Sequence, residues 1–83
     1  MEQPIGKVTH YFGHLGVAAV ELTADLKVGD QIHIKGHTTD FTQTIDSMEV
    51  EHQRVQQAGP GQDVAFKVPE KARTGDQVFK ITG

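Results

Sequence analysis

Lys27-Val28-Gly29-Asp30-Gln31-Ile32 recurs along the chain as Arg73-Thr74-Gly75-Asp76-Gln77-Val78. In each copy a cation and one spacer precede Gly-Asp, and Gln and a β-branched residue follow. Glycine accepts positive φ, aspartate can hydrogen-bond the backbone two residues on, and the β-branched residue packs on a pleated surface. The phrase therefore predicts a tight turn feeding a strand, twice. Two copies are too few for a solenoid, which needs at least three, so the copies are expected to be equivalent turns of one β domain.

Strand signals flank both copies. Ile5 to Phe12 reads as a strand, Gly13-His14-Leu15-Gly16 as a turn and Val17 to Leu22 as a second strand. Thr23 to Asp30 connects to Gln31-Ile32-His33-Ile34-Lys35, where Ile32 and Ile34 share a face. Gly36 to Asp40 is a polar loop. Phe41 to about Gln56 is a long polar extended segment whose apolar phase slips between Ile45 and Met48, predicting a bulge or bend at Asp46-Ser47. Val64, Phe66 and Val68 alternate again, with Phe66 expected in the core, and Gln77 to Ile81 is the last strand. Glu49 to Ala58 shows no 3.6-residue apolar stripe, so no helix is expected there. Short strands at roughly 8–12-residue spacing predict an all-β fold, a small closed six- to seven-stranded β-barrel, because closure removes edges that so short a chain cannot hide.

Bulk composition limits the rest. The 83 residues make one domain, 1–83, with its core over about residues 5–81. Such a domain buries only about 60–65% of its unfolded surface. There is no cysteine, so neither a disulfide nor a thiolate metal site is available. The absence suits a cytoplasmic protein. Met1 to Val8 carries Glu2, Pro4 and Gly6 and no apolar run, and nothing downstream is long and apolar enough to span a bilayer, so neither signal peptide nor membrane partner is expected. A net charge of −3 with eight scattered cations disfavours tight nucleic-acid binding through phosphates, while leaving room for local contact with one end of an RNA.

Several pieces in order resemble a known family. They are Gly6-Lys7-Val8, Gly16-Val17 with Val20-Glu21-Leu22, and Leu26 to Ile34. They continue as Ile45-Asp46-Ser47-Met48-Glu49, Ala58-Gly59-Pro60-Gly61, Val64-Ala65-Phe66 and Arg73 to Val78. Together they resemble the β-barrel second domain of the translational GTPases, as in elongation factor Tu, and above all the small stand-alone elongation factor-like proteins. Similar barrels also end some peptidase-like enzymes associated with RNA modification. The resemblance implies a role near an aminoacylated tRNA end or the ribosome. In elongation factor Tu a carboxylate just before the turn corresponding to Gly59-Pro60-Gly61 takes part in that contact; here the position is Gln57. No Gly-x-x-x-x-Gly-Lys-Ser/Thr occurs, so the chain is not expected to bind or hydrolyse GTP.

Catalytic chemistry finds little to use. The one serine, Ser47, lies in the expected bend without a Gly-x-Ser-x-Gly context. Glu49 and Glu51 would share a strand face about 6.6 Å apart, but no tryptophan offers a sugar platform. Of the five histidines, His33 and His37 lie about 13 Å apart on a strand, and only a sharp turn at Gly36 would bring them to one metal. His10 and His14 would need a tight turn at Phe12-Gly13. Solvated positions on an outer face are the expectation for all five, with no catalytic residue, metal or cofactor.

Aromatics suggest a surface instead. Tyr11 and Phe41 are the candidates for an exposed stacking or anchor residue, and Phe41 stands in the hydroxyl-rich stretch Thr38-Thr39-Asp40-Phe41-Thr42. The expected partner-binding residues are Thr39, Phe41, Gln57, Gly59 and Gly61. The expected function is a non-catalytic binding module accessory to translation or RNA modification, contacting an RNA end such as tRNA or the ribosome. The alternative is a protein–protein adaptor that docks on a larger enzyme or self-associates.

Overall fold

In the computed structural model, which describes residues 1–82, the two copies of the doubled phrase fold into the same turn. The Lys27 carbonyl accepts the Asp30 N–H at 3.1 Å, and the Arg73 carbonyl accepts the Asp76 N–H at 3.0 Å. Gly29 and Gly75 have φ of 98° and 95°, the left-handed third position of a type II turn. Each aspartate reaches three residues back rather than two on. Asp30 Oδ2 accepts the Lys27 N–H at 3.0 Å, and Asp76 Oδ2 accepts the Arg73 N–H at 2.8 Å.

Each turn is also stitched to a buried residue distant in sequence, Ile45 for one and Val8 for the other. Gly29 N–H donates to the Ile45 carbonyl at 2.8 Å, and Ile45 N–H donates to the Asp30 carbonyl at 2.9 Å. Gly75 N–H donates to the Val8 carbonyl at 2.7 Å, and Val8 N–H donates to the Asp76 carbonyl at 2.8 Å. Ile45 and Val8 are each 1% exposed, so the repeated sequence produces a repeated tertiary staple.

The described residues form ten strands in chain order: β1 Glu2–Phe12, β2 Val17–Leu22, β3 Leu26–Lys27, β4 Gln31–Lys35, β5 Asp40–Thr44, β6 Met48–Val50, β7 Gln53–Val55, β8 Gln57–Ala58, β9 Asp63–Lys67 and β10 Gln77–Ile81. Eight form one antiparallel sheet in the order β5-β4-β10-β1-β2-β9-β6-β7, and β3 pairs with β8 separately. The strands that follow the two turns, β4 and β10, pair with each other, His33 opposite Phe79. On their outer sides β10 carries β1, with Ile81 opposite Glu2, and β4 carries β5, with Lys35 opposite Asp40. An approximate dyad therefore passes between His33 and Phe79 and exchanges Glu2 with Asp40.

The all-β expectation stands, but the closed barrel is corrected. Among the described residues no ladder joins β5 to β7, the two ends of the sheet. Chain connectivity bridges them instead: β5 at one end runs into β6 near the other through Ile45-Asp46-Ser47. Ile45 and Met48 are both 1% exposed, which explains the slip in apolar phase. Gln43 Nε2 donates to the Lys67 carbonyl at 2.8 Å across this seam. A chain this short lets one bent segment serve two sheet positions. One core results, with Ile5, Val20, Leu22, Ile32, Ile34, Val64, Phe66 and Val78 buried in it.

The segment to Gln56 is also corrected, from one extended run to a hairpin. Val50 pairs with Gln53, leaving Glu51 and His52 as a two-residue loop with φ of 52° and 65°. That is the type I′ geometry usually signalled by Asn-Gly. Glu51 thus stands in the turn, not on a strand face beside Glu49. Left-handed backbone costs non-glycine residues roughly 1–2 kcal/mol. Changing Glu51→Asn together with His52→Gly is expected to raise stability by about 1 kcal/mol. Urea unfolding checks this, and an unmoved midpoint would show the turn to be unstrained.

Candidate functional site

Thr39 and Phe41 fall inside the molecule, 4% and 7% exposed, so their expected role as surface contacts is corrected. The reason is register. β5 begins at Asp40, Phe41 stands opposite Ile34, and both side chains point into the core. Tyr11 is half-buried against the same core. Gln57 is exposed on β8 opposite Lys27, and Gly59 is half-buried. Gly61 is exposed with φ of 85°, its N–H donating to the Leu22 carbonyl at 2.9 Å.

Two of the five expected residues meet at a cleft of about 510 Å³, whose lining includes Asp25, Lys27, Asp30, Gln57, Gly59 and Lys80. Its floor is the β3–β8 ladder, where buried Leu26 faces buried Ala58. Lys80 Nζ lies 3.6 Å from Asp30 Oδ2, and Gln62 Oε1 accepts the Gly59 N–H at 2.8 Å. Two carboxylates and two ammonium groups balance in the wall. Such a wall suits groups that both donate and accept hydrogen bonds, as peptide groups do, better than a phosphate. The cleft was only half legible. Gln57 and Gly59 were singled out, but Lys80 and Asp25 come from segments far apart in sequence.

A smaller hollow of about 210 Å³ holds Ser47 with Glu49, Arg54 and Lys67. No histidine lines it, so Ser47 has no imidazole base there.

His33 departs from the expected solvated position. Its side chain is 14% exposed, with Nδ1 at 2.8 Å from Glu2 Oε2 and Nε2 at 2.5 Å from Asp40 Oδ1. The Asp40 carboxylate bonded to the ring raises its pKa above the ordinary histidine value; burial opposes this and Glu2 adds to it. The two carboxylates approach opposite edges of the ring, so they do not converge on a common point. Among the described residues no group of three His, Asp or Glu side chains is arranged to hold a metal. His10 packs its ring against Phe12, centroids 4.3 Å apart. No helix among the described residues is long and apolar enough to cross a membrane.

No protein-family model matches the chain. The chain is 38% identical over 78 residues to an uncharacterised protease of Methanocaldococcus jannaschii, a match covering 93% of this chain and 19% of that protein. It is 37% identical over 79 residues to a collagenase of Porphyromonas gingivalis, covering 93% of this chain and 22% of the collagenase. A crystal structure of the C-terminal domain of a protein assigned to the U32 peptidases in Geobacillus thermoleovorans superposes with a TM-score of 0.90 and 26% identity, covering 96% of this chain and 93% of that one. Its selenomethionine variant superposes with a TM-score of 0.87. The chain thus spans about a fifth of the length of the curated relatives it matches, and nearly all of the solved domain.

These likenesses overturn the resemblance to the translational GTPases and, with it, the expected role beside tRNA or the ribosome. The Gly-Asp turns and Gly59-Pro60-Gly61 are what this curled sheet needs at its corners. Residues that serve the backbone are shared by unrelated uses of similar β architecture and do not tell one use from another.

Proposed function

We propose that the chain is a non-catalytic accessory domain of the U32-peptidase type, which works by docking on a larger catalytic polypeptide. The observation that carries this is the pattern of coverage: 93% of the chain matches only 19% of the archaeal protease. The likeness to a C-terminal domain crystallised by itself supports a unit that folds apart from the rest. The chain has no cysteine and one serine, and that serine's hollow holds no histidine. The partner-facing surface in this reading is the cleft of Gln57 and Gly59, with Gly61 at the adjoining turn. Its paired charges would give register and specificity rather than affinity.

Incubation of the isolated chain with denatured collagen tests the non-catalytic part. The substrate is expected to stay intact on gel electrophoresis. Fragments that appear with the wild type and vanish with Ser47→Ala would contradict it.

A further inference from the structure

His33 stands beside the approximate dyad, between two carboxylates that the dyad exchanges. Glu2 comes from the first residues of β1, and Asp40 opens β5, the end strand of the sheet. Both ring nitrogens face a carboxylate oxygen. A neutral imidazole has one N–H and one lone pair, so it satisfies one of these oxygens and repels the other; an imidazolium donates to both. We propose that His33 is a pH-sensitive clasp: protonated, it pins the start of β1 and the start of β5 to β4, and on losing its proton it releases them.

The surroundings favour a reversible clasp. Glu2 and Asp40 side chains are 41% and 68% exposed, so water can replace His33 at either one. From β10 the group opposite His33 is Phe79, its ring centroid 6.2 Å away and uncharged. From β5 the residue opposite is Thr42, and on β4 itself Lys35 lies two residues along, opposite Asp40. Lys80 is turned to Asp30, and the Met1 ammonium donates to the Thr82 carbonyl at 2.8 Å. Glu2 and Asp40 are therefore the carboxylates that hold the proton on the ring. Because the folded-state pKa is raised above 6.5, the clasp is fully closed below that value and opens as pH rises through the raised one.

NMR on the full chain tests this. The ring of His33 is expected to titrate at higher pH in the wild type than in Glu2→Gln/Asp40→Asn. Heteronuclear NOEs of Gln3 and Thr42 are expected to fall between about pH 5.5 and about pH 8.5 in the wild type, across the usual histidine range. In the double variant they are expected to be low throughout. An unchanged His33 midpoint in the variant, or flat NOEs in the wild type, would overturn the proposal.

Discussion

Replacing Phe66 with alanine is expected to cost about 3–5 kcal/mol, the range for emptying a buried aromatic site. Phe66 lies on β9 opposite Ala18 and is 3% exposed. The residue across the ladder is alanine, whose side chain is too short to fill the void. At about 0.05–0.15 kcal/mol per residue, a domain of 83 residues has roughly 4–12 kcal/mol in all. The variant should stand near the threshold of folding at room temperature. Phe66→Leu keeps most of the volume and is expected to cost less than about 1.5 kcal/mol. Urea unfolding of the three proteins checks the ordering. A loss under about 1 kcal/mol for the alanine variant would place the side chain outside the core.

Gly6→Ala is expected to cost about 3 kcal/mol, the upper end for overpacking, though it adds one methyl group. A Cβ at Gly6 would lie 2.4 Å from the Glu21 carbonyl oxygen and 3.0 Å from Val20 Cγ1. The oxygen is backbone, so relief requires β1 and β2 to part. Both neighbours resist this, since Gly6 pairs with Leu22 on one side and Val78 on the other. The register shift between Pro4 and Gly6 accommodates Ile5, which is wholly buried. Gly29→Ala separates crowding from backbone conformation. Its φ is 98° but nothing lies within 4 Å of the added atom, so it should cost only about 1–2 kcal/mol. Equal losses in the two variants would show that close approach at Gly6 is not the cause.

The sequence made the turns plain because Gly-Asp carries its own mechanism: one residue for positive φ and one to bond the backbone. Ile32/Ile34 and Val64/Phe66 were legible because alternation is a local property of a half-buried strand. The β6–β7 hairpin was hidden because Glu51-His52 adopts positive φ without glycine or asparagine. β3 and β8 were hidden because two residues are too few to show a period. Phe41 was misread because its direction depends on pairing with Ile34, a tertiary fact. Gln57 and Gly59 are neighbours in sequence and so could be singled out together, whereas Lys80 and Asp25 reach the cleft from β10 and the β2–β3 connection. His33 looked like a solvated residue, since its partners Glu2 and Asp40 lie 31 and 7 residues away.

In the proposed function this domain acts by docking on a larger polypeptide. Titration of the 15N-labelled chain with the Methanocaldococcus jannaschii protease, shortened by the segment that matches this chain, tests it most directly. Saturable chemical-shift changes are expected at Lys27, Asp30, Gln57, Gly59 and Lys80, with the far hairpin around Leu15 unmoved. Spectra unchanged at equimolar partner would contradict docking itself, and saturable changes confined to another face would contradict the cleft as its site.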